Sequence, residues 1–198
     1  PRLTLGIQNG DAPSRKDRLI KQWPSEEKGG RTWHRVDLLE TCIECKEGHY
    51  WVIGDDPAIE NGCPRLVCDH CGHVVDTLHV TKRALERHAP DVLIITDVSL
   101  SQWLAREKYT HLWGLWHGED ATIPPRFLVL DEVHLYERLK GAHIARLIKR
   151  FQARARLVYK QTGDTERHPV VIGASATLSD EQRFLAKLMD VDPQDEAC

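Results

Sequence analysis

The sequence predicts an α/β protein built on a mainly parallel sheet, with a small β block inserted into it. Short apolar runs alternate with segments of helical spacing, as in chains whose parallel strands are joined by crossover helices. Five of the six cysteines fall between residues 42 and 71, which marks that region as a separate block. Hydrophobic residues make up 41% of the 198 residues and charged residues 29%, the proportions of an ordinary globular domain.

The first segment predicts a strand, a loop and a helix. RLTLGIQ, residues 2–8, alternates like a strand, and NGDAPS has loop chemistry. Ser14 is a candidate N-cap for a helix over residues 15–23, which Pro24 ends. The charged, glycine-rich SEEKGGRT, residues 25–32, has the composition of a linker.

The cysteine-rich block predicts a structural zinc site. Cys42 and Cys45, then Cys68 and Cys71, form two C-x-x-C pairs, and each can offer two thiolates from one tight turn to a tetrahedral Zn²⁺. Without an export signal, such clustering favours metal over disulfides. A redox pair and free thiols are the alternatives. Cys63 is left out of the ligand set because four residues separate it from Cys68.

We place this zinc-ribbon-like insertion at residues 36–80, between a first part of the main sheet at 1–35 and the remainder at 81–198. His70 and His73 are possible substitute ligands, and Tyr50, Trp51 and Arg65 are available for stacking and phosphate contact. The block is interpreted as a metal-stapled insertion that also carries a recognition surface.

The remainder predicts strands that alternate with helices. Thr81 is a candidate cap for a helix over residues 82–88, and Ser179 with Gln182 forms a capping box. The other predicted elements are a buried strand at 91–96, a helix at 99–109, a loop at 110–125, a strand at 126–132, a helix at 135–155, a strand with a glycine-rich turn at 168–177 and a helix at 180–190.

Two adjacent carboxylates, Asp131 and Glu132, follow the apolar run FLVL. Ligands bind at the carboxyl ends of parallel strands. There, one carboxylate can hold Mg²⁺ while its neighbour orients or deprotonates the water that attacks a γ-phosphate. A solvated strand end or a helix cap is the alternative interpretation of the pair.

Two segments resemble motifs of the superfamily 2 (DEAD/DEAH-box) helicases. Residues 131–134, DEVH, resemble motif II, and Ser175, Ala176 and Thr177 at the end of the next strand resemble motif III. The step Gly141-Ala142-His143 is similar to that of the MrfA-like DNA-repair helicases and the DISARM phage-defence helicase. GIQNGDAPSRKDR resembles the loop and helix after motif Ia, and APDVLIITDVSL resembles motif Ib, with Asp97 where the family has proline.

The resemblance implies a RecA-like (P-loop NTPase) sheet and an ATP-dependent helicase or translocase. Asp131 would bind magnesium, Glu132 would act as general base, and His134 would link the ATP site to motif III. Ser175 and Thr177 would couple hydrolysis to movement, with Ala176 between them. Thr96 and Arg15 are the candidate nucleic-acid contacts.

No G-x-x-x-x-G-K-[ST] loop occurs in the 198 residues. In the family this loop precedes motif Ia, and a second motor domain follows motif III. We therefore expect the chain to be the later part of a first motor domain, inactive alone, whose partners are the remainder of the helicase chain and nucleic acid, with DNA the expected substrate. A partner subunit in a repair or defence complex is a further expectation.

Charge and hydropathy limit the location and the partners. The net charge is −3, which gives no overall attraction to nucleic acid, but HIARLIKRFQARAR, residues 143–156, holds five Lys and Arg and no acid. That stretch is either a solvated helix face or a phosphate-contacting surface. No apolar run approaches the roughly 20 residues of a membrane span, so we expect a cytoplasmic protein with no membrane partner.

Two other functions fit parts of the sequence. In the first, the zinc ribbon is a nucleic-acid- or protein-binding module and the sheet is its scaffold. In the second, the chain belongs to a nuclease-helicase of the CRISPR type, which also carries DEVH, although no His-Asp cluster of such a nuclease is found here.

Overall fold

A computed structural model of the chain describes residues 2–8, 23–36, 39–54, 56, 63–114, 123–161, 163, 168–176 and 181–190. The described strands are β1 Leu5–Gln8, β2 Ser25–Lys28, β3 Arg31–Arg35, β4 Tyr50–Ile53, β5 Leu66–Cys68, β6 Val74–Val75, β7 Leu78–His79, β8 Val92–Ile95, β9 Phe127–Leu130 and β10 Val170–Gly173. The described α-helices are α1 Lys82–Arg87, α2 Asp97–Trp103, α3 Arg138–Gln161 and α4 Glu181–Met189, and 3₁₀ helices span Glu107–Trp113 and Val133–Leu135. Among these helices, none combines the length and apolar character that crossing a membrane requires.

The chain divides into two compact units, Pro1–Ser99 and Leu100–Cys198. The first unit holds a parallel sheet in the order β7-β1-β8 and an antiparallel sheet in the order β2-β3-β4-β5-β6. Buried residues of the antiparallel sheet, among them Tyr50 and Val52, share one core with Leu78 and Val80, and Leu5 and Ile7 of β1 pack against it. The predicted α/β class, with parallel strands and a separate antiparallel block, is therefore confirmed.

The second unit pairs β9 with β10 in parallel, from Phe127 opposite Val170 to Leu130 opposite Gly173. The long helix α3 of this unit packs against α4 and the 3₁₀ helix Glu107–Trp113, and its apolar stripe is buried as its helical spacing predicts. The residues of that stripe are Ile144, Leu147, Ile148, Phe151, Ala155, Val158 and Tyr159.

The helix caps follow local sequence where they are described. The Thr81 hydroxyl accepts a hydrogen bond from the Ala84 amide at 3.0 Å, which confirms the predicted cap of α1. Helix α3 begins at Arg138, three residues later than predicted, because a 3₁₀ turn occupies Val133–Leu135 first. The second capping pair lies partly outside the described residues, since the structure does not describe Ser179.

The linker predicted at residues 25–32 is wrong, because these residues form most of a β-hairpin. Gly29 and Gly30 both adopt positive φ, at 60° and 72°, as a two-residue turn between twisted strands requires. Thr32 donates a hydrogen bond to Glu27 across the hairpin at 2.6 Å. The polar composition reflects the full exposure of β2, the edge strand of its sheet. The antiparallel sheet thus starts upstream of residue 36.

The prediction that residues 91–96 form a fully buried strand is also wrong. Strand β8 pairs only with β1 among the described strands, and Val92 and Ile94 remain 52% and 56% exposed. Strands β9 and β10 show the same alternation. The described residues cover one face of each of these strands and leave the other open.

Candidate functional sites

The four predicted cysteine ligands come together in the first unit. Cys42 and Cys45 lie on a turn before β4; Cys68 ends β5, and Cys71 lies on the turn that follows it. Gly48 lies at the contact between the two turns. A Cβ on Gly48 would stand 2.5 Å from the Cys68 sulfur, so glycine is required for the turns to approach this closely.

The spacing of the sulfurs fits a tetrahedral metal ion. All four Sγ atoms lie within 4.8 Å of one another. Cys42 and Cys71 are 3.7 Å apart at sulfur, and Cys45 and Cys68 are 3.8 Å apart. Four thiolates bound to Zn²⁺ at about 2.3 Å place neighbouring sulfurs about 3.8 Å apart. The cluster is therefore compatible with a structural zinc ion.

Backbone amides surround the sulfurs and favour the thiolate form. The amides of Glu44 and Gly48 donate to the Cys42 and Cys45 sulfurs, each at 3.4 Å. The second turn repeats the arrangement at Cys68, whose sulfur accepts the amides of His70 at 3.4 Å and of Cys71 at 3.5 Å. Each turn thus directs backbone N–H groups at its cysteine sulfurs, where they stabilise negative charge.

The Tyr50 hydroxyl forms a second layer behind Cys42. Tyr50 is completely buried, and its hydroxyl lies 3.5 Å from the Cys42 sulfur and 2.9 Å from Nδ1 of His73. The hydroxyl also accepts the amide of Ile43 at 3.3 Å. Because it has a single proton, donation to the Cys42 thiolate requires that His73 donate from Nδ1 to the tyrosine oxygen.

Three of these thiols, those of Cys42, Cys45 and Cys71, have pKa values that diverge when no cation neutralises them. Burial opposes ionisation of Cys42, but hydrogen bonds, first from Tyr50, outweigh it and lower its pKa to about 7. At Cys45 the backbone amides lower the pKa to about 6. At Cys71 the His73 backbone favours the thiolate, yet burial and the neighbouring sulfurs raise the pKa to about 12. These three sulfurs compete for negative charge, and a divalent cation relieves this competition.

Asp69 fixes the second turn against β4. Its carboxylate accepts the His49 amide at 2.8 Å and the Trp51 indole N–H at 2.9 Å. Trp51 is buried, and the Lys28 ammonium lies 4.3 Å from the centre of its ring. The prediction that Tyr50 and Trp51 are available for stacking is wrong, because both are held in hydrogen bonds and buried within the first unit.

The other residues predicted around the metal lie outside the sulfur cluster. Cys63 is half-buried and does not belong to the ligand group. His70 is exposed and contacts the Glu47 carboxylate at 3.3 Å. Arg65 is exposed and its Nε pairs with Asp56 at 3.3 Å.

The acidic pair lies at the carboxyl end of β9 in the second unit. Asp131 and Glu132 are both exposed, and the Asp131 carboxylate accepts the Glu132 amide at 2.9 Å. Glu132 has φ 50° and ψ 47°, a left-handed conformation that few non-glycine residues adopt. The backbone therefore turns at Glu132. In a continued strand, neighbouring side chains would point to opposite faces of the sheet, but after this turn the two carboxylates are no longer held on opposite faces.

The end of β9 is joined to the end of β10 by backbone and side chains. The Val133 amide donates to the Ala174 carbonyl at 3.1 Å. Nδ1 of His134 lies 3.0 Å from the Ser175 hydroxyl and 3.2 Å from the Glu132 carboxylate. When Nδ1 carries the imidazole proton, that single N–H can be shared between the Glu132 carboxylate on one strand end and the Ser175 oxygen on the next. The structure brings together Glu132, His134 and Ser175 as a single cluster.

The remaining predicted residues have separate placements. Ala176 is exposed beside Ser175, and Thr177 and Arg15 lie outside the described residues. Thr96 is exposed, and its hydroxyl accepts the Ser99 amide at 3.3 Å, as a helix cap does.

Sequence reasoning missed the supporting roles of Tyr50 and Asp69 at the sulfur cluster. For Tyr50 a signal was available: it alternates with the apolar Val52, which places both on the core side of β4. Its pairing with Cys68 depends on strand register, which the sequence does not specify.

Comparisons with protein-family models, with curated proteins and with solved structures found no match for this chain. Any functional assignment therefore rests on the residues and their geometry.

Proposed function

We propose that this chain is part of an ATP-dependent nucleic-acid helicase or translocase motor that acts on DNA. The observation that carries the proposal is the contact of His134 with both Glu132 and Ser175, at the ends of two neighbouring parallel strands. The resemblance to motifs II and III requires such a link between the hydrolytic site and the coupling motif. A RecA-like sheet is part of the same proposal.

In this function the chain's own residues divide the chemistry of hydrolysis. Glu132 accepts a proton from the attacking water, and His134 holds the Glu132 carboxylate at 3.2 Å. Asp131 fits a magnesium ligand because it is exposed and its Oδ1 is oriented by the Glu132 amide. Bound Mg²⁺ would supply charge neutralisation at the β- and γ-phosphates. Movement of Ser175 relative to His134 would transmit the state of the site to the next strand.

Mutation of the proposed base in the product of the whole open reading frame tests this proposal. We expect DNA-stimulated ATP hydrolysis that falls by at least about two orders of magnitude in Glu132→Gln, which keeps the size of the side chain but removes the base. Glu137→Gln is the matched control, since Glu137 is also exposed and lies close by in sequence. The 198-residue chain alone should show no turnover, because it has no phosphate-cradling loop. Robust hydrolysis by the chain alone, or by Glu132→Gln, would contradict the proposal.

We also propose that Cys42, Cys45, Cys68 and Cys71 bind one structural Zn²⁺. The support is the match between the sulfur spacings of 3.7 and 3.8 Å and a tetrahedral thiolate site. The ion would join two turns that are also linked by the Tyr50 hydroxyl, by Asp69 and by the pairing of β4 with β5.

A zinc-ribbon binding module is the second candidate function. Two observations favour it: all four cysteines of the cluster are present, and the antiparallel sheet that carries them has a buried core within the first unit. By contrast, the 198 residues contain no phosphate-binding loop. The two functions differ in one measurement: DNA binding that survives Glu132→Gln but is lost with the metal, in a protein without ATPase activity, would select the module.

A further inference from the structure

Helix α3 concentrates positive charge to a degree that the net charge of −3 conceals. Eight of the chain's 27 Lys and Arg residues lie between Arg138 and Gln161, and none of its 30 Asp and Glu residues does. One helix therefore carries nearly a third of the cations and no acid.

The structure assigns some of these cations to internal contacts. Arg150 donates to the hydroxyl and carbonyl oxygens of Ser101, both at 3.3 Å, and Arg154 donates to the Leu104 carbonyl at 3.0 Å. These carbonyls lie in the last turn of α2 and just after it, where a helix leaves its acceptors unsatisfied. Arg150 and Arg154 are thus structural.

Four other cations form a row that we call the basic stripe: Arg146, Lys149, Arg156 and Lys160. At about 100° per residue they lie within about 80° of one another, and at about 1.5 Å per residue they span about 21 Å of the helix axis. All four are exposed. Lys149 pairs with Asp190 at 2.6 Å on the surface, a type of pair that stabilises little. Within the described part of the chain, the other three form no ion pair.

The rest of the helix surface limits what this row can bind. The opposite face is buried in the second unit, so α3 has no free apolar face to insert into a membrane surface. Within the stripe Ala153 lies between the cations, and the exposed Leu139 and Leu157 on its border are 18 residues, or about 27 Å, apart along the helix, so they form no continuous apolar area. This is little apolar area for a protein interface, whose centre is typically apolar. A regular polyanion needs only the row of charges.

We propose that the basic stripe of α3 is a contact surface for the sugar-phosphate backbone of nucleic acid. The inference rests on the nucleic-acid binding included in the proposed function, and it places that binding on a helix outside motifs Ib, II and III. Arg146, Arg156 and Lys160 contact phosphates directly, and Lys149 joins them by exchanging Asp190 for a phosphate. Sequence-independent binding that weakens steeply with salt is the expected consequence.

Charge neutralisation with a matched control tests the stripe. Fluorescence anisotropy of a labelled oligothymidylate, titrated with the 198-residue chain over a series of KCl concentrations, gives the slope of log K against log salt. Each phosphate contact to a single strand contributes about 0.7 to that slope, so Arg146→Gln/Arg156→Gln should reduce its magnitude by about 1.4. Arg83→Gln/Arg126→Gln removes the same charge from exposed positions elsewhere and should leave the slope unchanged. Circular dichroism checks that each variant is folded, and Arg156→Gln/Lys160→Gln replaces the first pair if that pair disturbs folding.

The outcomes separate this inference from the proposed function. If the wild type binds the oligonucleotide and the stripe and control variants have equal salt slopes, the stripe does not contact phosphates. This result would overturn the inference and leave the proposed motor function intact. No binding of the oligonucleotide by the wild type at low salt overturns both the stripe and the nucleic-acid part of the function. Weaker binding of polyglutamate by the stripe variant, with unchanged binding of the oligonucleotide, assigns the stripe to an acidic protein and overturns the inference.

Discussion

Replacing Tyr50 by phenylalanine should weaken zinc binding while leaving the four ligands in place. The substitution removes one oxygen from a completely buried side chain. It deletes the hydrogen bond to the Cys42 sulfur at 3.5 Å and leaves the Ile43 amide and His73 Nδ1 without their acceptor. Groups that hydrogen-bond to metal ligands typically contribute about 10- to 100-fold in metal affinity.

The expected loss lies at the lower end of this range. A hydrogen bond to a charged group contributes about 1.5–3 kcal/mol, and a sulfur acceptor at 3.5 Å is a long one. We therefore expect a loss of about tenfold, which corresponds to about 1.4 kcal/mol.

Competition with a chromophoric chelator measures the zinc affinity of the wild type and of Tyr50→Phe. The thiolate-to-metal charge-transfer band of the Co²⁺-substituted protein should shift as well, because the thiolate loses a hydrogen-bond donor; a merely structural role would not move that band. Tyr109→Phe is the matched control, since it removes a buried hydroxyl in the other unit. His73→Asn should retain more affinity than His73→Leu, because the asparagine amide can donate in place of Nδ1. Unchanged affinity and an unchanged Co²⁺ spectrum in Tyr50→Phe would refute the reasoning.

Three further predictions concern the metal, a glycine and pH. Cys68→Ser should release zinc and unfold residues near 40 to 80, and unchanged metal content by plasma emission would contradict the ligand assignment. Gly141→Ala should lower the free energy of unfolding by about 1–3 kcal/mol, since its Cβ would collide with the Tyr136 carbonyl; Ala142→Ser, on the exposed side of α3, is the control in denaturant titrations. Burial lowers the pKa values of His34 and His79 below their usual 6.5. Below about pH 6.5 the unfolded chain therefore binds protons that the folded chain does not. The free energy of unfolding should therefore be unaffected by these two histidines above that pH and should decrease as the pH falls below it. Thermal unfolding of the wild type and of His34→Gln across this range measures the effect, and an identical pH dependence would exclude a contribution from His34.

The sequence predicted best those features that depend on neighbours along the chain. The C-x-x-C spacing placed two thiolates on each turn, and the thiolates of both turns lie where a metal could bind. The Thr81 cap is likewise a local hydrogen bond over three residues. The strand that leads into Asp131 and Glu132 was predicted from an apolar run, and the structure ends β9 directly before that pair.

Composition led to wrong predictions where a segment is polar because its strand is exposed to solvent, and not because it lacks secondary structure. Strand β2 has no apolar residue because both of its faces are exposed at a sheet edge, so its sequence resembles a linker. The apolar sequence of β8 suggested burial on both faces, but among the described residues it is covered on one. Whether a strand face is buried depends on segments that are distant in sequence, and the local hydrophobic pattern does not reveal where those segments pack.

The sequence by itself determined which chemistry is present: four thiols in two pairs, an acidic pair after a strand, and a stretch at residues 143–156 with five cations and no acid. Only the tertiary structure decided how these groups are used. The register of β4 against β5 turned Tyr50 toward the sulfur cluster. Packing against the end of α2 committed Arg150 and Arg154 to carbonyls and left the basic stripe exposed. The physical reason is that residue type sets what a group can donate or accept, whereas long-range packing sets which partner lies within hydrogen-bonding distance.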